Sequence, residues 1–184
     1  MSSFLFGFAL VLLVSLGARD QLLVARLAGR TGPGLVVAGV VAATISAGAM
    51  AWAGTLIADL LFPAAKQMLV AFALAAAAFE LAWPNREQAP AEPTHSVIAA
   101  FIVLLARQIG DAGRFIVFAL AVATALPWLA AAGGALGGAA ALVLGWVMGA
   151  GLEKALPLRL IRFVLAALLA IAAVAVGLAA RGII

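Results

Sequence analysis

The sequence predicts an all-α integral membrane protein, with six transmembrane helices arranged as two inverted three-helix repeats. Three observations carry that expectation. The chain of 184 residues is 67% hydrophobic and only 10% charged, whereas water-soluble domains are roughly 45–50% apolar and about 25% charged. Its apolar residues fall into six long runs, and a bilayer core takes about 20 residues of helix per crossing. Finally, rare residues of the first half recur in register in the second.

The runs cover roughly 3–29, 34–60, 66–83, 97–124, 128–152 and 160–180. They are too long, and too free of period-two alternation, to be barrel strands. Between them lie "GRTGPG", "FPAAK", "WPNREQAPAEPTH", "TALPW" and "EKALPLR", the Pro, Gly and charged clusters that end helices. The first run, Phe4 to Ala18 at its apolar core, has no basic residue before it and no clear small-residue cleavage site. It reads as a retained first span rather than a signal peptide. The domain organisation follows: residues 1–83 form the first three-helix repeat, 84–96 a polar linker and 97–184 the second repeat. No room is left for a soluble domain.

The repeat rests on paired rare residues. Gly17 pairs with Gly110 at an offset of 93; with one added residue Pro33 pairs with Pro127, Gly39 with Gly133, Trp52 with Trp146, Asp59 with Glu153 and Pro63 with Pro157. Three spans is an odd number, so the two copies must cross the bilayer in opposite senses. Inverted repeats characterise transporters, whose sites lie near the midplane between the copies. Gly133, Gly134, Gly137 and Gly138, with Gly145 and Gly149, form GxxxG patterns that suit close helix packing. Trp83 and Trp128 read as interfacial anchors, and the deeper Trp52 and Trp146 as packing residues.

Orientation follows from basic residues near span ends. With the N-terminus outside, the inner face holds Arg26, Arg30, Arg86, Lys154, Arg159 and Arg162, against Lys66 and Arg181 on the outer face. The positive-inside rule then puts both termini outside, in what reads as a bacterial inner membrane. The partners implied are the lipid bilayer and a small ion or solute; homo-oligomerisation is left open. Nucleic acid is excluded, because the basic residues are scattered without aromatic interleaving. Cysteine is absent, which removes disulfides and thiolate ligands. Nothing points to an enzyme. His95, Glu87 and Glu92 fall in the polar linker and Glu80 beside it, and all read as solvated charge, with no pair of carboxylates held in a pocket for acid–base work.

The chemistry concentrates in two charged stretches inside apolar runs. They are "SLGARDQ" (15–21) and "RQIGDAGR" (107–114), which together hold Arg19, Asp20, Arg107, Asp111 and Arg114. Each charge at mid-bilayer costs roughly 2.5–3.5 kcal/mol even on the mild insertion scale. These groups must therefore face one another, a polar cavity or the interface. Helical spacing puts Ser15 on the face of Arg19, and Gln108 on the face of Asp111, and it allows an Arg107–Asp111–Arg114 ladder. Asp20 stands about 100° from Arg19, so it should reach another helix, at Arg114 or Arg107. Gly17 and Gly110 weaken both helices at equivalent points, where a loosened carbonyl could bind a cation. The candidate binding residues are Ser15, Asp20, Gln108 and Asp111, with Arg19, Arg107 and Arg114 as charge partners.

At these residues the sequence resembles the Gdt-type cation exporters, six-helix membrane proteins grouped with the lysine-exporter superfamily. Their hallmark is Glu-x-Gly-Asp-Lys-Thr/Ser, once in each inverted half, often followed by Gln and a Leu/Ala-rich helix. "SLGARDQLLVARLA" occupies the first copy and "QIGDAGRFIVFALA" the second. The resemblance implies proton-coupled export of manganese or calcium, with the motif acids as metal ligands; Asp111 stands at one of those positions and Asp20 is the acid left in the first copy, and these two are the candidate metal ligands. No resident cofactor is implied; the metal is the cargo. The motif is altered. Ser15 and Ala18 stand in place of Glu and Asp, Arg19 in place of Lys, and Asp20 at the Thr/Ser position. In the second copy Gln108 replaces Glu, Asp111 is kept, Ala112 replaces Lys and Gly113 replaces Thr/Ser. Four acids and two lysines thus become two acids and three arginines. Hard cations want several oxygen ligands, which two carboxylates, the Ser15 hydroxyl, the Gln108 amide oxygen and a backbone carbonyl would supply. Two alternatives remain open: a transporter of the same fold for an anion or amino-acid-like solute that an arginine can fork onto, and a non-transporting membrane protein whose charges form a structural knot.

Overall fold

Helices account for all the regular secondary structure among the described residues of the computed structural model, which are 1–28, 32–84 and 96–183. The first apolar run folds as two pieces, α1 (Ser2–Val14) and α2 (Arg19–Leu27), bent by 64° at their junction. Two unbroken helices follow, α3 (Gly34–Ala58) and α4 (Pro63–Ala82). The fourth run is again broken, into α5 (Val97–Ile109) and α6 (Ala112–Thr124). α7 (Pro127–Met148) continues through a 3₁₀ turn (Gly149–Gly151) into the short α8 (Leu152–Ala155), and α9 (Leu158–Ala180) closes the chain.

The boundaries have local causes. Pro63 and Pro127 occupy the first turns of α4 and α7, where a missing N–H loses no hydrogen bond and the fixed φ favours the helix. Ser96 caps α5 by accepting from the Ala99 N–H. The α1–α2 break centres on Gly17 at φ 74°, a left-handed conformation that a Cβ disfavours.

Four stretches are long and apolar enough to cross a membrane: α3, α4, Pro127–Ala155 and α9. The α1–α2 pair makes a fifth if it counts as one bent span. The expected count of six is therefore not reached by unbroken helices. α5 and α6 are 13 residues each, about 20 Å of helix apiece at 1.5 Å per residue, short of the ~30 Å hydrocarbon core. The chain is an integral membrane protein on composition and on these helices.

Packing crosses between the two halves. α1 and α2 lie against α7, and α5 and α6 lie against α3; α3 also packs on α7, α4 on α9, and α1 on α6. Small residues allow this closeness. A Cβ added at Gly133 would meet the Phe4 carbonyl and the Phe8 amide nitrogen, and one at Gly137 would come within 2.5 Å of the Phe8 oxygen. Of the glycines read from the sequence, Gly133 and Gly137 form the seam between α1 and α7, whereas Gly134 and Gly138 face Val117 and Arg114 of α6, and Gly145 faces Gln21 of α2. The core beneath it joins Val11 and Val14 of α1 to Ala47 and Ala51 of α3, Ile116 and Val117 of α6, and Ala130 of α7.

The tryptophans divide differently from the expectation. Trp83 and Trp128 are exposed, as anchors would be, but Trp52 is also 66% exposed on the outer face of α3. Its partner in the repeat, Trp146, packs against the cluster around Leu23, Val24, Leu104 and Leu142. Residue 52 points outward from a helix whose inner face is filled by Ala47, Ala51 and Gly54.

Candidate functional site

Both charged stretches coincide with helix breaks, and the breaks meet at one cavity. α1 ends at Val14 and α5 at Ile109, so Asp20 falls in the first turn of α2 and Asp111 becomes the N-cap of α6. The Asp111 carboxylate accepts the Gly113 N–H at 3.2 Å, and the Asp20 carboxylate accepts the Gln21 N–H at 2.8 Å. A helix N-terminus carries unpaired N–H groups and the positive end of its dipole, so it favours an anionic side chain there.

The breaks also correct the helical bookkeeping of the sequence reading. Ser15 and Arg19 are not one turn apart on one face, because Ser15 ends α1 and Arg19 begins α2. Gln108 and Asp111 are likewise separated by the end of α5. The local Arg107–Asp111–Arg114 ladder gives way to helix capping by Asp111.

Asp20 does reach across to the other stretch, but to a neutral partner. Gln108 Nε2 donates to Asp20 Oδ2 at 3.0 Å, where Arg107 or Arg114 was expected. Gln108 Oε1 accepts from Ser46 Oγ at 3.1 Å, and Arg114 Nε donates to the same hydroxyl at 2.7 Å. Arg114 is buried, its guanidinium seated against Gly138, and its Nη1 has no protein partner. Arg107 Nη1 donates to the Arg19 carbonyl at 3.5 Å. Ser15 is buried beside Gly113, so its hydroxyl stays close to the Asp111 cap.

The cavity, about 390 Å³, is lined by Arg19, Asp20, Glu80, Arg107, Gly110 and Asp111 together with Val103 and Ala106. A second cavity of about 420 Å³ shares Arg19, Glu80 and Gly110 and adds Ala76, Phe79, Trp83 and Phe115. Four of the seven charged and polar candidates therefore converge: Arg19, Asp20, Arg107 and Asp111. Gln108 and Arg114 sit behind the wall and brace it. Gly17 and Gly110 mark the two breaks, although only Gly17 takes a positive φ.

Glu80 lines the cavity, and Gln21, Ser46 and Arg162 brace the elements around it, although the sequence reading named none of the four as a candidate. Glu80 is no solvated residue beside the linker: it lies within α4, its side chain 11% exposed, and its Oε1 accepts from Arg162 Nη2 at 3.2 Å. Arg162, counted as an interfacial cation, is buried in α9 and also donates to the Glu80 and Gly17 carbonyls, at 3.1 and 3.3 Å. Gln21 accepts the Gly17 N–H at 2.7 Å and donates to the Ala141 carbonyl at 2.8 Å, which clips the first break to α7. The signal available for these four was simply polarity within an apolar run. Of the charges away from the cavity, Arg26 pairs with Glu153 at 2.7 Å, both partly exposed. His95, Glu87, Glu92, Arg30 and Arg86 lie outside the described residues.

Chemically, the walls offer three carboxylates against two guanidiniums. Among the described residues no three of His, Cys, Asp or Glu stand close enough together to hold one metal ion. A cation held here would draw on two carboxylates at most in this arrangement, completed by neutral oxygens.

Comparison with known proteins bears on the same residues. No curated protein and no solved structure matches the chain. Residues 96–182 match the family model described as the divalent cation/proton antiporter GDT1, a stretch that contains Gln108, Asp111, Arg114 and Arg162. Over that stretch, a little under half of the chain, the sequence is similar to the Gdt-type transporter family.

Proposed function

We propose that the protein is a divalent-cation exporter that exchanges manganese or calcium for protons across a bacterial inner membrane, with Asp20 and Asp111 as the central ligands. The observation that carries this reading is the cavity at which the two broken helices meet. It brings a carboxylate from each half to one space, each at the start of a half-helix, in the manner of transporter sites at the junction of discontinuous helices. The GDT1 match over the second half supports the substrate class. Backbone oxygens at the breaks would complete the coordination, since hard cations take oxygen ligands, while Gln108, whose Oε1 is turned to Ser46, acts from behind the wall through its bond to Asp20. The nearby arginines act as counterions for the empty site.

The six-span inverted repeat belongs to this proposal. α1–α2 and α5–α6 each act as one broken span, giving residues 1–83 and 97–184 three spans each. The crossed packing supports it, because each broken pair lies against the long second helix of the other half, while α3 meets α7 and α4 meets α9. Both termini are outside. With Arg162 withdrawn to the interior, Arg26, Arg30, Arg86, Lys154 and Arg159 still outnumber Lys66 and Arg181.

A second reading is favoured by Arg19 and Arg107 on the cavity wall: a carboxylate-bearing solute, bound by a guanidinium fork. Flux into vesicles separates the two. The purified protein, reconstituted with a pH gradient, should move manganese or calcium above the level of empty vesicles, and Asp111→Asn should abolish the movement. Folded protein that moves neither ion, but binds a small carboxylate until Arg19→Gln is introduced, would establish the second reading.

A further inference from the structure

Glu80 is the one cavity carboxylate outside both charged stretches, and it is held unlike the other two. It comes from α4 and lines both cavities, at the place where they share Arg19 and Gly110. Only one of its oxygens is engaged: Oε1 accepts from Arg162, whereas Oε2 is buried with no protein partner. A carboxylate oxygen removed from water without a donor is unfavourable. Such an oxygen beside a polar cavity is ready to take a ligand. Arg162 is anchored independently of the carboxylate, through the Gly17 carbonyl at the helix break and the Glu80 carbonyl. Releasing the Glu80 side chain therefore breaks one contact of Arg162 and leaves two.

We propose that Glu80 is a third cation-binding residue, which leaves Arg162 to take up the divalent ion as it passes between the two cavities. The inference rests on the cation reading of the cavity and adds a ligand from outside the repeated stretches. It does not require three acids around one ion at once. Glu80 holds the ion at the junction of the cavities, and Asp20 and Asp111 hold it in the cavity between the breaks. Arg162 compensates the Glu80 charge whenever the ion is absent, and its tie to Gly17 links that exchange to the bend between α1 and α2.

The test is manganese binding and flux by the full chain reconstituted in vesicles, comparing wild type with Glu80→Gln and Glu80→Asp. The expected result is a rise of at least tenfold in the half-saturating manganese concentration for Glu80→Gln. Glu80→Asp should recover part of that loss. If Glu80→Gln does not fold, the double variant Glu80→Gln/Arg162→Gln removes both members of the pair and leaves no uncompensated buried charge; it should show the same loss of affinity. Wild-type flux with unchanged half-saturation in the folded variant would overturn the role of Glu80 while leaving the cation reading intact. Absence of manganese binding and flux in the wild type would overturn both.

Discussion

Gln108 on the first half of one broken helix donates its amide to Asp20 on the second half of the other, at 3.0 Å. This bond joins the two charged stretches of the sequence, and its donor occupies the position at which the Gdt-type pattern has Glu. Gln108→Glu should therefore act in opposite directions with and without metal. Without metal it removes the donor to a buried carboxylate, and stability should fall by about 1–3 kcal/mol. With manganese, the added carboxylate becomes a ligand, and thermal unfolding in detergent should show a larger metal-induced rise in Tm than wild type.

Ser46→Ala tests the bracing behind the wall. The Ser46 hydroxyl accepts from Arg114 and donates toward Gln108 or its own helix. Arg114 already has an Nη1 without a protein partner, so loss of the hydroxyl leaves a second buried donor unmet. A destabilisation of roughly 1–3 kcal/mol is expected in a denaturant titration. An unchanged midpoint would mean that Arg114 finds another acceptor.

The two breaks should respond differently to the same substitution. Gly17 has φ 74°, and a Cβ there would stand 3.1 Å from that of Leu158. Gly17→Ala should lose at least 1–2 kcal/mol, roughly the cost of a left-handed backbone with a side chain. Gly110 has φ −100° and open space where its Cβ would be, so Gly110→Ala should leave unfolding almost unchanged.

The break at Gly110 shows what was legible in the sequence and what was not. Apolar run length located the helices, and charge inside two of those runs located both sides of the cavity, because a buried charge in a membrane needs a local reason. Helical spacing then misassigned the partners. It assumes a continuous helix, and the helices stop at the charges themselves. Glu80 and Arg162 were invisible for another reason: each sits near a span end in sequence, where solvation is the ordinary fate of a charge. Only the packing of α4 on α9 brings them together in the interior. Trp52 failed in the same way, since its depth along α3 was readable while its outward face depended on how α3 meets α6 and α7.

The seam between α1 and α7 should tolerate almost no added volume. Gly133→Ala places a methyl group against the α1 backbone at Phe4 and Phe8, and overpacking of this kind typically costs 1–3 kcal/mol or more. Gly48→Ala, where nothing lies within 4 Å of the added carbon, should instead be neutral or gain about 0.5–1 kcal/mol from helix propensity. Comparing folded yield and Tm of the two variants checks the seam directly.

The central claim is that one divalent ion is held between Asp20 and Asp111 at the junction of the two broken helices. Calorimetric titration of manganese into wild type, Asp20→Asn, Asp111→Asn and the double variant measures it most directly. The expected result is one ion per chain in wild type, a large loss of affinity in each single variant, and a double variant little worse than either, because both carboxylates serve one site. Manganese binding in wild type that survives both substitutions, in folded protein, would contradict the claim.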